Sequence, residues 1–155
     1  MTRTTGNFTR SALLQIRSLL IFIVSAATLF GSAASAYEGG VSAENLLKTS
    51  HTIVGEDILY PHSGKAVVEV VIVTILPGEK TSLHRHGVPL IGYILEGELS
   101  VFYEGIGLKK FPQGSSYVET MNVNHFGENA TDSVVKVLVV YAGADGSQTV
   151  FPASE

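Results

Sequence analysis

From residue 67 onward, short apolar and β-branched runs alternate with clusters of glycine, proline and asparagine. The first run, 67–76 (VVEVVIVTIL), is apolar on almost both faces, the pattern of a strand buried between two layers. Pro77-Gly78-Glu79 ends it as a turn. Further strands are expected over 81–86, 90–95, 98–103, 108–111, 116–120 and 134–141, with turn residues in each gap. Helical spacing of apolar positions is approached only over 41–47, a segment too short for a stable helix. Several short strands at such spacing predict an all-β domain, either a sandwich or a small barrel. Residues 37–52 read as a lead-in arm, and 143–155 as a loose tail.

The first 36 residues are built differently. Their only charged side chains are Arg3, Arg10 and Arg17; an apolar run of 12 residues, 19–30, follows, and Ala34-Ser35-Ala36 closes the segment. That order is the pattern of a secretory signal peptide cut after Ala36, which predicts an exported protein, periplasmic or secreted. The rival reading is an uncleaved anchor, for which the run is short against the roughly 20 residues a spanning helix needs. No twin-arginine pair is present, so the general export route is expected.

Removing that segment changes the charge. Fourteen acidic and seven basic residues remain after Ala36, a net charge of −7. An acidic surface repels phosphate backbones and anionic lipid, which argues against a nucleic-acid partner and against membrane insertion of the mature chain. The remaining 119 residues suit one domain, divided as an arm with the first strands over 37–64, a barrel over 65–142 and the tail. Cysteine is absent, so packing alone holds the fold and any metal must be held by imidazole nitrogen or carboxylate oxygen.

His84-Arg85-His86 lies inside a strand pattern. Residues two apart in a strand share a face at a spacing of about 6.6 Å, so two imidazoles there can grip one ion. A third, His125, follows after two hairpins. The pair alone fits two exposed surface histidines as well. The surrounding frame is more specific. Gly78-x5-His84-x-His86-x3-Leu90-x6-Gly97 resembles the first signature of the cupin superfamily, and Gly114 with His125-x3-Asn129 resembles the second. The likeness covers residues 65–142 and implies a cupin-type double-stranded β-helix, or jelly-roll barrel. It also implies a divalent metal on His84, His86 and His125, and pairing as a homodimer. Two positions depart from the family pattern. The metal-binding glutamate falls at Leu90, and the proline-x-glycine turn of the second signature reads Thr120-Met121-Asn122.

Strand alternation places Glu119 on the inner face with Tyr117, where a carboxylate is costly unless a cation or proton neutralises it. Glu119 is therefore the candidate catalytic residue, as a replacement ligand or a general base; a strand-end glutamate reaching solvent is the alternative. By the same alternation Leu90, Gly92 and Ile94, together with Tyr117, are expected to line the pocket. His51 and His62 read as structural or exposed, and Asn129 as the tie of a turn. An imidazole site accepts iron, manganese, zinc, nickel or copper. Three ligands leave room for a small-molecule substrate, which fits a non-haem metal-dependent oxygenase or isomerase. A non-catalytic periplasmic module that binds a small molecule or a metal fits the same residues.

Overall fold

β-Branched and aromatic residues fill the runs between turns, and those runs form strands. The computed structural model describes residues 40–153. In chain order the strands are β1 (Ala66–Ile75), β2 (His84–His86), β3 (Leu90–Glu96), β4 (Glu98–Tyr103), β5 (Gly107–Pro112), β6 (Ser116–Val118), β7 (His125–Glu128), β8 (Val135–Ala144) and β9 (Val150–Pro152). Among the described residues none is helical. Each strand expected from the sequence is present, within three residues at either end. The leader and its cut after Ala36 lie outside the described residues, within which no helix is long and apolar enough to cross a membrane.

All pairings are antiparallel, in two sheets ordered β1-β8-β3-β6 and β5-β4-β7-β2-β9. The chain changes sheet repeatedly, so early and late strands alternate within each layer. This is the two-sheet arrangement of a jelly roll, with β9 added at one edge. Residues from both sheets meet in one core that includes Leu90, Ile94, Leu99, Val101, Phe111 and Val137. Gly97 makes the tight β3–β4 turn: its φ is +80°, and a Cβ there would lie 2.8 Å from the Val134 carbonyl oxygen.

Four expectations need correction. β1 is not covered on both faces. Among the described residues it is an edge strand paired only with β8, and Val68, Val70 and Ile72 are 67%, 58% and 59% exposed. The tail is not loose throughout, because β9 pairs with β2, Phe151 opposite Arg85. No strand forms over 40–64, where the only pairing is an isolated bridge between His51 and Asp57. β7 was not expected because its alternation is inverted: His125 and Gly127 are buried while Phe126 lies against Phe102, ring centroids 5.4 Å apart.

Candidate metal centre

β2 carries His84 and His86 on its inner face. Arg85, between them, turns out to solvent and covers the Phe151 ring at 4.8 Å. β7 pairs with β2 so that His125 stands directly opposite His84. Three imidazoles from two adjacent strands thus converge, with one ring nitrogen of each lying within 4.8 Å of the others.

Backbone carbonyls fix which nitrogen of each ring carries the proton. Nδ1–H of His84 donates to the Ser82 carbonyl (2.7 Å), that of His86 to Thr149 (3.2 Å) and that of His125 to Val123 (3.0 Å). A carbonyl can only accept, so each neutral ring presents a bare Nε2 lone pair. The Nε2 atoms of His86 and His125 are 3.3 Å apart. Two acceptors at that distance repel unless a cation or a proton lies between them. The spacing is also that of two ligands on a tetrahedral ion with bonds of about 2.0–2.1 Å. Burial lowers the pKa of all three rings, and the neighbouring imidazoles help to push His86 down to about 3. All three are therefore neutral and ready to ligate at neutral pH.

Glu119 follows β6 and is buried, as strand alternation predicts. Its backbone N–H donates to the Leu90 carbonyl at 2.9 Å, which sets it beside the position where a ligand carboxylate is missing. One carboxylate oxygen, Oε1, accepts the Thr120 N–H at 2.9 Å, and the other, Oε2, lies 3.8 Å from His125 Nε2. Burial raises the Glu119 carboxyl to about 7, opposed by the Thr120 N–H and by the nearby Tyr103 hydroxyl. That hydroxyl is fully buried near the Glu119 carboxylate, short of full hydrogen-bond geometry. Its own ionisation is pushed up by burial and by the Glu119 charge.

These groups open into a cavity of about 120 Å³ between the sheets. Leu90, Val73, Leu99, Val137 and Val139 form an aliphatic wall, and Thr81, Tyr117 and Tyr141 add hydroxyls. Among the described residues no lysine or arginine lines it.

The sequence profile described as the Cupin domain matches residues 71–141, a span that includes all three histidines and Glu119. The chain carries a Cupin domain over those residues. Solved structures similar to this cupin-domain protein include a sugar phosphate isomerase of the cupin superfamily from Silicibacter pomeroyi, 24% identical with a TM-score of 0.49, covering 57% of each chain. Another is a DMSP lyase from Ruegeria pomeroyi, 22% identical with a TM-score of 0.48, covering 57% of this chain and 45% of that one. A third is an oxalate decarboxylase from Lactobacillus farciminis in a formate complex, 21% identical with a TM-score of 0.48, covering 55% of this chain and 26% of that one. This chain therefore spans from about a quarter to just over half of their lengths. No curated protein matches it.

In this cupin-domain protein the structure brings His84, His86, His125, Glu119, Leu90 and Tyr117 to one cavity. Gly92 and Ile94 do not line it. Ile94 is packed in the core, and Gly92 lies under the Tyr117 ring, whose nearest carbon would be 2.5 Å from an added Cβ. His51 is exposed and pairs with Asp57 at 3.2 Å, and His62 is exposed. Asn129 ties its turn, donating to the Ile75 and Ser133 carbonyls at 2.9 and 2.7 Å. Sequence reading missed Tyr141, whose ring lies 5.9 Å from that of His86. Continuing the period-2 pattern Val135, Val137, Val139 along β8 would have found it. Tyr103 was also missed; it stands opposite His125 in the β4–β7 pairing, which no local pattern reveals.

Proposed function

We propose that this cupin-domain protein holds one divalent metal ion on the Nε2 atoms of His84, His86 and His125 and acts on a small organic molecule beside it. The observation that carries this reading is the tautomer set: three Nδ1–H groups tied to carbonyls, leaving three bare lone pairs converging at the cavity between the sheets. A bound divalent ion would supply Lewis-acid or redox chemistry to an oxygen donor placed next to it.

The chain's own groups supply the rest. Glu119 is the proton acceptor: burial raises its carboxyl to about 7 in the metal-free protein, and a divalent ion beside Oε2 would lower it from there, favouring the ionised form that takes up a proton. The Thr120 N–H keeps Oε1 in place and leaves Oε2 facing the histidines. Tyr117 and Tyr141 present neutral hydroxyls, because burial raises their ionisation out of the physiological range. The aliphatic wall excludes water from the reacting end. With a carboxylate and, among the described residues, no lysine or arginine in the lining, the site favours an uncharged substrate with an apolar body and one oxygen-bearing end over a phosphorylated or dicarboxylate one. Removal of a proton from such a substrate opens either isomerisation or oxygenation.

The chain also fits a protein exported by the leader over 1–36 and paired as a homodimer through the exposed apolar face of β1.

The test is metal analysis of the purified protein, followed by turnover of uncharged enolisable ketones and phenols by wild type and by Glu119→Gln. One metal per chain, with turnover that Glu119→Gln abolishes while keeping the metal, supports the reading. Metal lost with Glu119→Gln makes that residue a ligand instead. Bound metal without turnover of any compound in the panel leaves a binding module.

A further inference from the structure

Thr120-Met121-Asn122 stands where a proline-x-glycine turn would otherwise shape the approach to His125. Thr120 fixes part of this loop itself through its hydroxyl, but the Met121 and Asn122 N–H groups take their acceptor from elsewhere. The structure supplies the missing constraint from the arm, 64 residues earlier. The Glu56 carboxylate reaches across and accepts the Met121 N–H at 2.8 Å and the Thr120 hydroxyl at 2.8 Å on Oε2, and the Asn122 N–H at 3.0 Å on Oε1. Two successive backbone N–H groups make an anion-binding concavity, and here the anion is a side chain of the same protein.

Both ends of the clasp are anchored. Thr52 holds Glu56 from its own side, its hydroxyl donating to Oε2 at 3.2 Å and accepting the Glu56 N–H at 3.1 Å. The arm is fixed alongside β6 by Ile53 N–H to the Val118 carbonyl at 2.8 Å. On the loop side Thr120 is fully buried, and its hydroxyl also accepts the Val123 N–H at 3.1 Å. The far end of the loop is held separately, by Asn124 on Glu104 at 2.9 Å.

The clasped loop is also what orients two groups of the candidate centre. The Thr120 N–H holds Glu119 Oε1, and the Val123 carbonyl holds His125 Nδ1–H. We infer that Glu56 is a positioning residue, an internal anion that replaces the turn sequence and fixes the His125 ring and the Glu119 carboxylate in their working orientations. The inference about the ring stands without a metal; its effect on affinity rests on the function proposed above.

The test uses the full-length protein with Glu56→Gln and Glu56→Ala. In the metal-free protein, ring 15N shifts report the His125 tautomer. Wild type should show Nδ1–H alone, and Glu56→Ala a mixture of the two tautomers. Glu56→Gln keeps the size of the side chain but sets an amide N–H2 against a backbone donor, and should fall between them. Zn²⁺ titration of the same proteins should show affinity about 10–100-fold weaker in Glu56→Ala, the usual loss when a group orienting a ligand is removed. If Glu56→Ala does not fold, Glu56→Gln decides. Folded variants with wild-type ring shifts and wild-type Zn²⁺ affinity would overturn the inference. Wild type that binds no Zn²⁺ would overturn the metal reading alone, and the ring shifts would still decide the clasp.

Discussion

At the scale of single residues, His84, His86 and Glu119 were legible because strand alternation fixes which side chains share a face. His125 was legible because Gly114 and Asn129 frame it as in the second family signature. The H-x-H spacing announced one face, and Glu119 two residues after Tyr117 announced another. Glu56 was not legible, since a contact 64 residues away in a turn obeys no period. Changing His84, His86 or His125 to alanine should abolish stoichiometric metal binding, measured by elemental analysis, whereas His51→Ala and His62→Ala should retain it. A pH effect follows from His86, held down to about 3 in the folded protein against 6.5 ordinarily. Between those values the unfolded chain binds a proton that the folded chain does not. Between about 7 and 4.5 the proton that the folded chain binds at Glu119 opposes this effect, so the loss of stability of the metal-free protein should stand clear as pH drops from about 4.5 toward 3. Denaturant midpoints across that range should show the slope, and His86→Asn should flatten it.

Among elements, the strands with strict alternation were found and the irregular ones were not. β9 is three residues long and β7 carries its aromatic outward, so neither shows a core pattern. β1 misled in the opposite sense. A run that is apolar on both faces shows that the outer face is sticky and does not say what covers it. Where packing is dense the cost of change is definite. Ile94 is fully buried in β3, and Ile94→Ala should lower unfolding free energy by about 2–5 kcal/mol in chemical denaturation. Gly97→Ala should also destabilise the fold, because a positive φ and the Val134 carbonyl both oppose a Cβ there.

Over the whole molecule, the jelly roll follows from many short strands, and the family signatures narrowed sandwich or barrel to cupin. The proposed function rests on the cavity: neutral imidazoles, one carboxylate, aliphatic walls and, among the described residues, no lysine or arginine in the lining. The exposed row Val68, Val70 and Ile72 underlies the proposed homodimer. Sedimentation should give twice the monomer mass, and Val70→Lys with Ile72→Lys should give the monomer; an unchanged mass in that variant would remove β1 from the interface. The central claim, a metal held by three imidazoles, is tested most directly by the metal content of wild type beside the triple variant His84→Ala, His86→Ala, His125→Ala after identical purification. One equivalent in wild type and none in the triple variant is the predicted result, and equal content in the two would contradict it.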